Sequence, residues 1–202
     1  RFKSSEGVHF SSRKLKGNAL NLDYSLKEKR LTLWENASLE FMPEDESSLP
    51  VSIQGDRIEY LKDQKLCILQ GNGHLLRGRS RSSADLLKVE LFDEEQNIKS
   101  LYLKGNAQAH LEDDEDESGQ VRIISADEIT LYTFLNEQKI RSIEAQGGCY
   151  FKSVSAPENW TQIEAESIKF ELDPEGKLSA FHASKKAKMQ EKRQGTSEHR
   201  II

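Results

Sequence analysis

The stretch Leu101–Leu111, which reads LYLKGNAQAHL, decides the fold of this chain. Small or apolar side chains occupy every second position in it, at Leu101, Leu103, Ala107, Ala109 and Leu111. This period of two is typical of a β-strand that buries one face. Gly105 and Asn106 interrupt the stretch with residue types that tolerate a left-handed backbone. The stretch therefore predicts a strand, a sharp bend and then more strand.

The same pattern recurs four more times along the chain. Each unit has a small residue, apolar residues three and five positions later, a turn, two alternating apolar residues and a bend. The predicted bends are Glu35-Asn36-Ala37, Gly71-Asn72-Gly73, Gly105-Asn106-Ala107, Gly147-Gly148-Cys149 and Lys185-Lys186-Ala187. An acidic residue follows the small one in four units, as Asp56, Asp85, Asp127 and Glu166. Five β-hairpins are predicted, and the lysine pair makes the fifth bend the least regular.

The first unit has two interpretations. In one, it begins at Gly17, and Leu20 and Leu22 lie on the buried face. In the other, Gly17-Asn18-Ala19 is the bend of an earlier hairpin that starts near Val8–Phe10.

Polar segments separate the predicted strands. Turns are expected at 25–29, 62–65, 93–97, 136–139 and 173–177, which are rich in Asp, Asn, Gly, Glu and Lys. Longer polar insertions are expected at 42–52, 112–122 and 152–162. The second of these contains six consecutive acidic residues, Glu112–Glu117, which mutual repulsion favours as a solvated loop.

Stacked hairpins with a bend at the same place predict the fold class. A single hairpin is marginally stable in water, whereas five side by side form long antiparallel sheets with one apolar face. The expected fold is an all-β, elongated, bent antiparallel β-jelly-roll with an apolar interior. Small inward residues such as Ala37, Gly73 and Ala145 either let the bent sheets approach closely or leave a groove unfilled, and the sequence does not decide between these alternatives.

Length and charge limit the class of protein. The 202 residues suit one domain over 1–202, with the clearest repeats in 15–190, and we expect the chain to be a fragment or processed form of a longer protein. A net charge of −5 argues against a nucleic-acid-binding protein. Cys67 and Cys149 could pair or remain free, and they match no metal motif.

The sequence contains no recognisable catalytic or metal-binding motif. His74, His110 and His182 lie on different units with outward orientation, so they are not expected to converge on a metal. Neither a nucleotide-binding loop nor a nucleophile turn is found, and no cofactor is predicted. A glycosidase with two carboxylates facing one cleft is the enzyme alternative. We expect a protein that is not an enzyme.

The repeated segments resemble the OstA/LptA-type domain of the lipopolysaccharide transport family, which includes LptA, LptC and the periplasmic part of LptD. The resemblance rests on the segments IQGDRIEY (53–60), LCILQGNGHL (66–75), SADLLKVEL (83–91) and the stretch 98–111. It implies a bent β-jelly-roll in the periplasm, either free or tethered to a membrane through a part outside this chain. Its implied partners are lipopolysaccharide and other Lpt-type β-jelly-rolls joined by edge-strand pairing, with possible self-association.

The resemblance also implies that the interior binds the acyl chains of the lipid. The predicted groove lining is Leu33, Leu69, Leu75, Leu101, Leu103, Ala107, Ile143, Phe151 and Phe181. Arg77, Arg79 and Arg81 alternate along the chain as a basic row and are the candidates for contact with head-group phosphates, or else form a charged strand that prevents aggregation. A second hypothesis is a structural or adhesive β-repeat protein with a fully packed core and only protein partners.

Overall fold

Fifteen β-strands form almost all the regular structure of the computed structural model, which describes residues 1–43, 49–92, 97–112, 120–134, 139–156, 159–193 and 196–201. A short 3-10 turn at Lys62–Gln64 is the one helical element in these ranges. None of the helical structure described is long and apolar enough to cross a membrane.

The strands follow one another with short connections. They are β1 (Phe2–Ser4), β2 (Val8–Ser11), β3 (Leu15–Ala19), β4 (Asn21–Ser25), β5 (Arg30–Phe41), β6 (Val51–Leu61), β7 (Leu66–Arg77), β8 (Ser80–Leu91), β9 (Ile98–Glu112), β10 (Val121–Thr133), β11 (Ile140–Ala156), β12 (Asn159–Leu172), β13 (Leu178–Ser184), β14 (Lys188–Arg193) and β15 (Thr196–Ile201).

All fifteen strands belong to one sheet, and every pair in it is antiparallel. From β5 to β12 each strand pairs with its sequence neighbours. At the ends, two short strands take the place of one long strand: β3 and β4 pair with the two halves of β5, and β14 and β13 pair with the two halves of β12. The predicted all-β antiparallel fold is confirmed.

In each of the five predicted bends the first two residues have positive φ, and the third does not. In the central one, Gly105 has φ 74° and Asn106 has φ 49°. The ladder between neighbouring strands shifts register at the bends, as at Gln70/Gly73 and Ser83/Leu86. A bulge of this kind increases local twist and bends the strand. Since the bends occur in neighbouring strands, the sheet folds along one line.

An acidic side chain on the adjacent strand holds the central bends. Asn106 Nδ2 donates a hydrogen bond of 3.0 Å to Asp85 Oδ2, and Asn72 Nδ2 donates one of 3.1 Å to Asp56 Oδ2. A Cβ on Gly105 would lie 2.5 Å from Asp85 Oδ2. Glycine is therefore required there both for its positive φ and for the close approach of the carboxylate. These contacts explain why the repeat couples an acidic residue with Gly-Asn.

The fold along the bend line divides the sheet into two walls. Wall 1 comprises β1, β4, β13 and the strand halves 30–34, 57–61, 66–70, 86–91, 98–104, 128–133, 140–146 and 167–172. Wall 2 comprises β2, β3, β14, β15 and the halves 37–41, 51–55, 73–77, 80–84, 107–112, 121–126, 149–156 and 159–165. We call the edge of each wall farthest from the bend line its rim, and the gap between the two rims the mouth.

The interpretation in which the first unit begins at Gly17 is wrong, because the unit begins two residues later, at Ala19. Ala19 and Leu20 face the Glu35-Asn36 bend, because Asn18 pairs with Ser38 and Asn21 with Trp34. Leu22 is buried as expected, but Leu20 is 46% exposed. Both Gly17 and Ala19 are small, and only the pairing with β5 distinguishes them. The alternative hairpin is present, since β2 pairs with β3, but Gly17-Asn18-Ala19 is not its bend, because these residues lie within β3 and none has positive φ.

One predicted insertion is also wrong. Most of 152–162 is strand, because β11 and β12 pair as far as Ala156 and Asn159. Side chains across this hairpin contact each other, with Lys152 Nζ 5.6 Å from the centre of the Trp160 ring. Beyond Glu112, the acidic run that was predicted as a loop lies outside the described residues. The same is true of residues 44–48 in the first insertion and of most of the turns predicted at 93–97 and 136–139.

Candidate functional site

The structure brings the nine predicted lining residues into one apolar interior between the walls. Leu33, Leu69 and Leu103 are fully buried on wall 1. Of the others, Leu101, Ile143, Leu75, Ala107 and Phe151 are buried, and Phe181 is half-buried against the same cluster. Each fully buried leucine stabilises the fold by about 1.5–3 kcal/mol relative to an exposed one. The interior is therefore a large part of what holds the walls together.

The two walls pack against each other through aromatic side chains. Phe41 of wall 2 meets Tyr60 of wall 1 edge to face, with ring centroids 5.5 Å apart. Phe151 of wall 2 lies 4.2 Å, centroid to centroid, from Phe170 of wall 1, which in turn packs on Phe181 at 5.1 Å. Phe41, Tyr60 and Phe170 are absent from the predicted lining, although the period-two pattern of their strands places all three on the inner face.

Small residues near the bend line allow the walls to approach closely. A Cβ on Gly73 of wall 2 would lie 2.5 Å from Leu87 Cδ1 of wall 1. The space beside this glycine is already filled by the opposing leucine. At this position the structure supports close approach of the sheets rather than an unfilled groove.

Two hollows of about 490 and 470 Å3 lie mainly among outward-facing side chains near the amino-terminal end of the sheet. One of them is lined by Arg1, Asp23, Arg30, Thr32, Trp34 and Arg57. Arg1 and Arg30 are already paired, with Asp23 at 2.5 Å and Glu28 at 2.8 Å. This hollow is separate from the apolar interior, whereas the other includes Phe10 and Leu39 at the amino-terminal end of that interior.

Both ends of the apolar interior are less covered than its middle. At one end Val8, Phe10 and Leu15 are partly buried against the core, and at the other end Phe181 and Met189 are. In the middle the corresponding side chains, such as Leu87 and Ile129, are fully buried. The interior thus runs the length of the sheet and reaches solvent at its two ends.

The three arginines predicted as one basic row, Arg77, Arg79 and Arg81, do not lie on one face of the sheet. A tight turn separates β7 from β8, with Arg77 paired to Ser80. Arg77 continues the inward positions of Gly73 and Leu75, whereas Arg81 faces outward.

Arg79 and Arg81 contact the outer side of β9 instead. Arg81 Nη2 is 3.5 Å from His110 Nδ1, and Arg79 Nε is 3.7 Å from Glu112 Oε2. The signal for the turn is Gly78, which has φ 54°, and the alternation of arginines was given more weight than this glycine.

An inward-facing arginine that the sequence analysis missed lies on β10. Arg122 Nη2 donates hydrogen bonds to Gln120 Oε1 at 2.9 Å and to the Gly176 carbonyl oxygen at 3.2 Å. Gly176 belongs to the turn between β12 and β13 at the rim of wall 1, so this contact crosses the mouth. No sequence pattern links residues 54 positions apart in this way.

The two cysteines are free and belong to different walls. Cys67 lies on wall 1 and is fully buried, and Cys149 lies on wall 2 beside its bend. Burial raises the pKa of both thiols. The Cys149 thiol points to the Glu166 carbonyl oxygen, 3.3 Å away. Both behave as small apolar core residues.

Comparison with known proteins finds similarity in structure but not in sequence. No protein-family model matches the chain. No curated protein matches its sequence. Among solved structures, the chain is similar to LptH from Pseudomonas aeruginosa, described as the LptA homologous periplasmic component of the conserved lipopolysaccharide transport device.

The match covers 71% of this chain and 87% of LptH, with a TM-score of 0.50 and 13% sequence identity. At this identity the comparison establishes the fold alone.

Proposed function

We propose that this chain, which has the LptA-type β-jelly-roll fold, is a member of the OstA/LptA family that carries lipopolysaccharide in the periplasm. In this proposal the acyl chains of the lipid lie between the two walls on the nine predicted lining residues. The protein acts by binding, without catalysis and without a cofactor.

The observation that carries the proposal is an apolar interior that extends along the whole sheet and is only partly covered at both ends. Leu33, Leu103 and Ile143 share one continuous cluster that reaches Phe10 at one end and Met189 at the other. A globular core would be covered on all sides, because exposed apolar area is unfavourable. An interior that is only partly covered at its two ends suits a long apolar ligand, or continuation into a second such interior.

Lipid entry requires the walls to separate, because the interior is filled in this structure. Aromatic pairs such as Phe41–Tyr60 and Phe151–Phe170 occupy the space that acyl chains would take. The bend line is where the walls would pivot, since its residue pairs interrupt the ladder between strands. Burial of the acyl chains against both walls would offset the free-energy cost of separating the aromatic pairs.

Edge strands offer a way to join similar proteins end to end. Within the described residues β13 pairs only with β12, and β1 pairs only with β4. An unpaired edge presents N–H and C=O groups that a strand from another chain can complete. We infer that copies of this chain, or other Lpt-type β-jelly-rolls, add to these edges and continue the apolar interior.

Photocrosslinking at Phe181 tests the lipid site. This side chain is half-buried on the inner face, so an aromatic photoreactive residue replaces it with little change in volume. The matched control is the same residue at His182, which is exposed on the opposite face of the same strand. The proposal expects crosslinks to purified lipopolysaccharide at position 181 and not at 182. Absence of crosslinks at 181 in a folded protein would contradict it.

A structural β-repeat protein is the second candidate, and the filled interior favours it. In that case the core serves stability alone, and the edges and ends bind only proteins. The photocrosslinking experiment separates the two candidates, because a packed structural protein would give crosslinks to protein partners at 181 but none to lipid.

A further inference from the structure

A row of uncharged polar side chains crosses the outer face of wall 2. Strand pairing places nine outward-facing residues side by side, one on each of nine strands, and none of them is Asp, Glu, Lys or Arg, although 31% of the chain is charged. We call this the neutral row, and it consists of His9, Asn18, Ser38, Gln54, His74, Ser83, Gln108, Ser125 and Tyr150. At about 4.8 Å for each strand spacing, the row is about 38 Å long.

The outer face of wall 1 is built differently. There, ion pairs join neighbouring strands, with Lys104 Nζ 2.7 Å from Glu128 Oε1 and Lys169 Nζ 3.0 Å from Glu144 Oε1. The neutral row has no such side chains, so a charged ligand would lose its hydration without gaining an ion pair from the row. The row therefore favours a ligand that is polar and uncharged.

The hollow of about 490 Å3 lies at the amino-terminal end of the neutral row. Four members of the row line it together with Ser11, Lys16, Glu40 and Ser52, which belong to the next outward positions of the same strands. The two charged residues among these neutralise each other, since Lys16 Nζ lies 3.6 Å from Glu40 Oε2. The volume falls in the range of small-ligand sites, about 300–1,000 Å3. The hollow is thus large enough for a small polar ligand and carries no net charge.

Side chains around the hollow have hydrogen-bonding groups to spare. Asn18 Nδ2 donates a hydrogen bond of 3.2 Å to Ser38 Oγ, which leaves the Ser38 O–H available as a donor. His9 Nδ1 contacts Asn18 Oδ1, so the neutral His9 ring keeps Nε2 as an acceptor. Among the residues that the structure describes, the exposed Gln54 amide has no partner, and it offers both donors and an acceptor. The hollow can therefore both donate to and accept from one ligand.

We propose that the neutral row binds an uncharged glycan chain, with one sugar of the chain in the hollow. Every sugar hydroxyl both donates and accepts hydrogen bonds, as the Ser, Asn, Gln and neutral His side chains of the row do together. A chain of sugars also matches a row that extends over nine strands, whereas a single small molecule would use the hollow alone. The row faces away from the apolar interior, so this partner is separate from the lipid and the inference goes beyond the proposed function.

Titration with hexasaccharides, followed in amide NMR spectra of the whole chain, tests the inference. The uncharged probes are chitohexaose and cellohexaose, and hexagalacturonic acid is a probe of the same length with a carboxylate on every sugar. We expect at least one uncharged probe to shift the amide signals of Ser38 and Gln54, and the charged probe to shift neither. Gln54→Ala should weaken binding of the uncharged probe about two- to tenfold, because it removes side-chain hydrogen bonds.

Gln70→Ala is the matched control, because Gln70 is an exposed glutamine on the outer face of wall 1, and this variant should leave the affinity unchanged. Thermal melting checks that both variants keep the fold. The glycan site would be overturned if neither uncharged probe bound, if the charged probe bound equally well, or if the two variants weakened binding equally.

Competition with lipopolysaccharide separates this partner from the lipid of the proposed function. An excess of lipopolysaccharide should leave the bound hexasaccharide in place, because the neutral row and the apolar interior lie on opposite faces of wall 2. Displacement of the hexasaccharide would overturn the separate partner and assign the row to the sugars of the lipid. The proposed carriage of lipid does not depend on any of these results.

Discussion

Gly147 and Gly148 form one bend but differ in their surroundings. Both have positive φ, 81° and 56°. A Cβ on Gly147 would fall on the Asp127 carboxylate, whereas a Cβ on Gly148 would meet nothing within 4 Å. At the scale of single residues, the repeat is thus specified by backbone conformation at both positions and by steric fit at only one.

The two alanine substitutions should therefore differ in cost. Gly148→Ala should lower the free energy of unfolding by about 1 kcal/mol, the conformational cost alone, and Gly147→Ala by about 2–3 kcal/mol. Urea denaturation measures both. Adding Asp127→Gly to Gly147→Ala should recover the difference in the free energy of unfolding, because it removes both the carboxylate and the Asp127 Cβ, which lies 2.7 Å from the added Cβ. If the two single variants lose the same free energy of unfolding, the Asp127 carboxylate does not restrict the bend.

Cysteine reactivity gives a second prediction at this scale. The thiolate is the reactive form, and burial raises the pKa of Cys67 and Cys149. In the native protein at pH 8 neither thiol should react with Ellman's reagent on the timescale of minutes, and both should react at once in denaturant. Rapid reaction of either thiol without denaturant would contradict the burial of that side chain.

Among the elements, the fifth bend departs most from the repeat. Lys185 and Lys186 have φ of 56° each, in a region that side chains other than Gly and Asn rarely adopt. The bend still forms, because Ile168 pairs with Ala183 and Ile163 with Met189 on either side of it. Pairing along β12 thus imposes the turn on a sequence that does not favour it.

Lys185→Gly should stabilise the protein by about 1 kcal/mol, since it removes the penalty of a left-handed conformation. The measurement is the midpoint of urea denaturation. Lys188→Gly is the control, because this exposed lysine lies within β14, where glycine should cost about 0.5–1 kcal/mol. A destabilised Lys185→Gly variant would indicate that the lysine side chain contributes contacts that outweigh the strain.

For the whole molecule, the proposed joining of copies would use both the outer edge of β13 and the partly covered end of the interior. A second sheet that added to this edge would also cover Phe181 and Ala183, which are partly buried on the inner face. Association should therefore depend on the apolar end as well as on backbone hydrogen bonds.

Ala183→Lys should abolish self-association measured by sedimentation velocity over a dilution series, because it places a charge on the inner face of the edge strand. His182→Lys changes the exposed outer face of the same strand and should leave association unchanged. If both variants associate like the wild type, β13 is not the edge that joins copies. Thermal melting of both variants checks that the fold is retained.

The sequence by itself determined the class of fold, the five bends and the inner-face residues from Leu33 to Phe181. These features follow from local rules, namely period-two alternation, turn composition and the tolerance of Gly and Asn for positive φ. Only the tertiary structure decided that Leu87 fills the space beside Gly73 and that Arg122 crosses the mouth to Gly176.

The tertiary structure also placed Arg77 on the opposite face from Arg81 and determined the register of the first unit. These points depend on how the walls meet and on where a turn or ladder falls, and local patterns do not specify contacts between residues far apart in the chain.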